Sequence, residues 1–108
     1  MIMSEKVIVE WAPFTLAEGI SEPALLKASE ALQEGFLRKQ KGFLRRDLLK
    51  REGRQWVDVI HWASKEDVSA AMEAVNESPN CQAYFQLMEN IEAAEGDMVH
   101  FIKVRSWE

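Results

Sequence analysis

Residues 55–63, Gln-Trp-Val-Asp-Val-Ile-His-Trp-Ala, set one carboxyl among flat apolar side chains. Read as an extended segment, they put Trp56, Asp58, Ile60 and Trp62 on one side and Val57, Val59, His61 and Ala63 on the other. A carboxyl between two indoles is poorly solvated and can act as a general acid or base on a flat phenolic molecule. The polar gap Arg51-Glu52-Gly53-Arg54 signals a hairpin. If it turns on Glu52-Gly53, Asp47 stands opposite Asp58 with Arg45 on the diagonal. Facing carboxylates repel, so one keeps a proton unless a cation lies between them. Asp58 is then an acid–base group, or Arg45 bridges the two acids, or the register differs by one. His100 alternates with Ile102 and can line the same pocket, which makes Asp58, His100 and Arg45 the catalytic candidates. His61, among apolar neighbours, reads as a hydrogen-bonded wall residue.

Trp11, Trp56, Trp62 and Tyr84, with Met88, can stack on a small apolar or aromatic ligand, or can be plain core. Cys81 is the only cysteine, so neither an internal disulfide nor a cysteine-rich zinc site can form. It falls near the start of a helix, where the dipole favours thiolate, although a buried inert thiol is the commoner case. Two histidines on separate strands lack a third convergent ligand, so no metal is expected. No Gly-rich phosphate loop, nucleophile elbow or nucleotide fingerprint is present, and no cofactor is expected.

The elements that position these residues follow from local signals. Lys6–Trp11 is rich in β-branched residues and stops at Pro13, as a strand does. Ser21-Glu22-Pro23 caps a helix whose stripe is Leu25, Ala28, Leu32 and Phe36, closed by Gly42. Phe43–Lys50 and Gln55–Ala63 are the hairpin strands. Ser64 with Asp67 opens a second helix carrying Val68, Ala71, Met72 and Val75. Ser78-Pro79 restarts it with Tyr84, Phe85, Met88 and Ile91, Gly96 ends it, and Asp97–Arg105 alternates as the last strand. The order βαββαβ puts both helical layers on one face of a four-stranded antiparallel sheet, a ferredoxin-like α+β fold.

One domain, residues 1–108, fits this size. A net charge of −5 argues against a nucleic-acid backbone as partner. The Met1–Lys6 start has no apolar run for a leader or membrane span, so no membrane partner and a reduced, cytoplasmic setting are expected. The alternation carries a further inference. Both sides of the third strand are mostly apolar, and the last strand repeats this with Met98, His100, Ile102 and Val104 against Val99 and Phe101. Helices cover one face only, so the other must be covered, by the same face of a second chain or by the terminal extensions.

Gln40-Lys41-Gly42-Phe43-Leu44-Arg45-Arg46, then Gly53-Arg54-Gln55-Trp56-Val57-Asp58-Val59-Ile60-His61-Trp62-Ala63-Ser64-Lys65-Glu66-Asp67, resembles the antibiotic biosynthesis monooxygenase-like branch of the dimeric α/β-barrel superfamily. The G-F-x-x-R and W-x-D-x-x-x-W-x-S-x-E-D patterns span the central third, and element order extends the likeness over nearly the whole chain. The resemblance implies a ferredoxin-like protomer in a homodimeric barrel joined through its sheets. It also implies cofactor-independent oxygenation of a small aromatic or quinol. A binding module for a small apolar metabolite, without turnover, is the alternative. Haem-degrading relatives carry an Asn on strand one and a His after W-x-S. This chain has Glu10 and Tyr84 in those regions, which disfavours haem degradation.

Overall fold

The computed structural model describes residues 6–108. Five strands, β1 (Ile8–Leu16), β2 (Phe43–Lys50), β3 (Gln55–Trp62), β4 (Met88–Glu89) and β5 (Val99–Ile102), form one antiparallel sheet. Its order is β2-β3-β1, with β4 and β5 sharing the far edge of β1. Helices α1 (Glu22–Gly35), α2 (Lys65–Val75), α3 (Pro79–Phe85) and α4 (Ile91–Asp97) connect the strands. Met1–Glu5, most of the segment read for a leader, lie outside the described residues.

Local chemistry explains the helix starts. Ser21, Ser64 and Ser78 each accept a hydrogen bond from the backbone N–H three residues on, at 3.2, 3.1 and 3.2 Å. Leu25 and Leu32 of α1, Val68 and Ala71 of α2, and Cys81 and Tyr84 of α3 press onto one face of the sheet. There they meet Ile8, Phe14 and Leu16 of β1 and Trp56, Ile60 and Trp62 of β3. The opposite face carries Trp11, 41% exposed, Val99 and Phe101, 56% exposed, beside the half-buried Val57 and Val59. Registers Trp11↔Val99 and Val9↔Phe101 align these side chains across neighbouring strands.

Five expectations need correction. Helix α1 ends at Gly35 instead of running to Gly42. The last strand covers Val99–Ile102 instead of Asp97–Arg105, because α4 extends to Asp97. Strand β1 runs through Pro13 to Leu16 instead of stopping before it. Beyond β3, β1 pairs with β5 over Ile8–Trp11 and with β4 over Thr15–Leu16, so Pro13 sits where that edge has no partner and a missing N–H does no harm. The helix read from Ser78 to Gly96 breaks after Phe85; Met88–Glu89 add a fifth strand, and Asn90, in the left-handed region at φ 50°, caps α4. The β2–β3 hairpin closes through Glu52-Gly53-Arg54, with Arg51 N–H bonded to Gln55 O at 2.8 Å and Gly53 at φ 63°. A loop one residue longer than Glu-Gly shifts the register by one. Leu48, not Asp47, therefore stands opposite Asp58.

Candidate functional site

That shift decides what surrounds Asp58. Arg46, not Arg45, is brought to the helix side, and the Arg46 and Asp58 side chains are both almost wholly buried, Arg46 at 6% exposed. Arg46 Nε donates to Asp58 Oδ1 at 2.8 Å, its Nη1 donates to Ser29 O at 3.2 Å, and its Nη2 donates to the Tyr84 hydroxyl at 3.2 Å. The Tyr84 hydroxyl donates in turn to Asp58 Oδ2 at 2.8 Å. Every arm of the guanidinium and both carboxylate oxygens are thus engaged, tying β2, β3, α1 and α3 together. Burial opposes the Arg46 charge, but Asp58 and then Tyr84 outweigh it, so the guanidinium is held above its ordinary value. Burial, reinforced by Asp58, pushes the Tyr84 phenol far up.

Beside this network lies a second carboxyl. Glu10, on the helix side of β1 with Ile8 and Phe14, is 8% exposed. Trp62 Nε1 donates to its Oε1 at 3.1 Å, and His100 Nε2 stands 3.7 Å from the same oxygen. Burial pushes the Glu10 carboxyl above its ordinary value, and Asp58 adds to this, while His100 and the Trp62 hydrogen bond act the other way. Both of these partners meet Oε1.

Glu10 and Asp58 lie on the floor of a cavity of about 140 Å³ between the sheet and the helices. Phe14, Trp62 and Tyr84 form apolar walls, and Met88, Ile91 and Met98 close the side toward α4. Of the site residues named from the sequence, Trp62, Tyr84, Met88 and Asp58 come together at this cavity. Trp56 is core outside its lining, with Lys50 Nζ 5.6 Å from its ring. Trp11 lies on the opposite face, because odd-numbered residues of β1 point away from the helices there. Arg45 also leaves the site: it is 67% exposed and pairs with Asp47 at 2.9 Å, drawing that carboxyl below its ordinary value. His100 reaches Glu10 from outside the cavity, beside a shallow depression lined by Ile8, Val68 and Met72. His61 faces away from the helices, its imidazole held below the ordinary value by burial, then Lys103 and Arg45. Cys81 is 1% exposed and burial pushes its thiol up, which rules against an activated thiolate.

Sequence reasoning missed Arg46 and passed over Glu10 as an acid–base group. Glu10 was detectable, since it shares the period of Ile8, Ala12, Phe14 and Leu16. Arg46 was not, because its partner depends on the loop.

No protein-family model matches the chain, and no curated protein matches it. Solved structures do match it in fold. SnoaB, a cofactor-independent oxygenase from Streptomyces nogalater, superposes with a TM-score of 0.65 at 18% identity, over 95% of this chain and 96% of its own. A candidate antibiotic biosynthesis monooxygenase from Chloroflexus aurantiacus gives 0.63 at 17%, over 94% and 97%. A heme-degrading protein from Mycobacterium tuberculosis gives 0.60 at 20%, over 96% and 98%. The likeness seen in the central sequence pattern is therefore matched by a likeness of fold along nearly the whole chain.

Proposed function

We propose that this protein is a cofactor-independent oxygenase of a small phenol or quinol, with Glu10 as its base. The observation that carries this is a buried carboxyl, raised by burial, on the floor of an apolar cavity. The fold shared with SnoaB supports it. Two neighbouring carboxyls in unlike environments divide their roles: Asp58 holds the network in place, and Glu10 exchanges the proton. Glu10 Oε2 takes the phenolic proton, and His100 at its outer side passes it toward solvent. The substrate anion then gives electrons to dioxygen and a carbon–oxygen bond forms on the ring. A proton returned from solvent through His100 and Glu10 makes the peroxide a hydroperoxide; its O–O bond breaks as the ring C–H proton leaves, releasing water and a carbonyl, so phenol and dioxygen become quinone and water. Trp62 orients Glu10, and Tyr84 and Phe14 hold the ring.

Oxygen uptake with a panel of phenols and quinols tests this reading. The expected result is turnover that Glu10→Gln lowers by about 100-fold or more. The rate should rise with pH through a midpoint above the usual carboxylate range, since the base must be ionised and burial holds its proton. Uptake unchanged in Glu10→Gln would remove Glu10 from the mechanism. No uptake with any member would favour the binding-module reading, which the full engagement of Asp58 also supports. A thermal shift without turnover is its signature.

Haem chemistry is poorly supplied with donors here. No His is among the described residues lining the cavity, burial raises both the Cys81 thiol and the Tyr84 phenol, and the thioethers of Met72, Met88 and Met98 are the ligand type left. The proposal also includes a homodimer formed through the open sheet face, on the side away from the cavity, and work in a reducing cytoplasm.

A further inference from the structure

The charges and size of the cavity constrain what it can take, on the reading that it is the substrate site. Three carboxyl groups line it: Glu10 and Asp58 on the floor, and Glu95 on α4 at its exposed edge. No Lys, Arg or His is among the described residues of the lining. The buried cation of the fold, Arg46, stands outside the lining, with its three nitrogens bonded to Asp58, Ser29 O and Tyr84 and its charge already paired with Asp58. An anion in this space would give up its hydration, find no counter-charge and face carboxyls. A neutral hydroxyl or amine, by contrast, can donate to Glu10 Oε2.

Volume sets the second limit. A dry apolar cavity of about 150 Å³ accommodates one benzene ring. At about 140 Å³, this one is of the same size. On the sheet and α3 sides its walls, Phe14, Trp62 and Tyr84, belong to the packed core and do not yield readily, and Tyr84 is fixed by the Arg46–Asp58 network.

We infer that the cavity selects neutral single-ring aromatics carrying a hydrogen-bond donor, and rejects both carboxylated rings and fused-ring systems. The wild-type protein, titrated at pH 7 and followed by indole fluorescence and thermal shift, tests this with four probes. 4-Methylphenol should bind most tightly. p-Xylene, of nearly equal shape without the donor, should bind more weakly. 4-Hydroxybenzoate, an anion at this pH, should bind at least about tenfold more weakly than 4-methylphenol. 2-Naphthol should gain nothing from its larger apolar area. Glu10→Gln, checked for folding by its melting curve, should narrow the gap between 4-methylphenol and 4-hydroxybenzoate. Binding of 4-hydroxybenzoate or 2-naphthol as tight as that of 4-methylphenol overturns the inference, as does failure of 4-methylphenol to bind. Binding with this selectivity but no oxygen uptake would sink the oxygenase reading and leave the selectivity standing. Oxygen uptake on a carboxylated or fused-ring substrate would do the reverse.

Discussion

At the scale of single residues, Arg45 and Arg46 are neighbours with opposite fates. Arg45 meets Asp47 in solvent, where water screens the pair and it adds little to stability. Arg46 meets Asp58 where both side chains are buried, and removing one partner strands the other charge in the core. Arg46→Leu should therefore destabilise the fold by about 3–5 kcal/mol, and Arg45→Ala far less. Urea unfolding of the two variants checks this, and equal losses would mean that the buried pair does not matter. The same pair explains why the carboxyl between the indoles was legible in the sequence while its role was not. Alternation assigns Asp58 to the helix side, but whether it is a free acid or half of an ion pair depends on one loop residue.

Among the elements, the join leading into β2 depends on one glycine. Gly42 has φ 82°, and its carbonyl accepts from Ala63 N at 2.8 Å, tying the start of β2 to the end of β3. A methyl group on Gly42 would overlap the Asp67 carboxylate, which takes part in the Ser64 cap of α2. Gly53 also has positive φ, but a methyl group there meets nothing within 4 Å. Gly53→Ala should cost about 1 kcal/mol from backbone strain alone. Gly42→Ala should cost clearly more, because the α2 cap must also move. Thermal melts of both variants measure the difference, and similar melting temperatures would show that α2 yields freely. Gly42 was read as the helix terminator, but α1 ends at Gly35 and Gly42 instead turns the chain into β2, where the clash that constrains it joins residues far apart in sequence.

For the whole molecule, the open sheet face is the dominant unsatisfied feature. Trp11, Leu49, Val99 and Phe101 are each more than two-fifths exposed, and Val57 and Val59 lie between them. Covering apolar surface yields about 25 cal/mol per Å², and a second copy presents a matching patch. Sedimentation equilibrium at micromolar concentration should find a dimer, and Trp11→Glu with Phe101→Glu should give monomer without lowering helix content. A wild-type species of 12.4 kDa would end the dimer proposal. Among the described residues no helix is long and apolar enough to cross a membrane.

The amino-acid sequence by itself determined the helix caps, the alternation of β3 and the presence of two apolar sheet faces, because each rests on spacings of a few residues. Only the tertiary structure decided that Arg46 neutralises Asp58, that Glu10 is left as the raised carboxyl, and that the cavity has room for one ring. Those outcomes depend on a single-residue change of loop length, which reverses the partners of an entire strand, and on packing between elements that local patterns do not record.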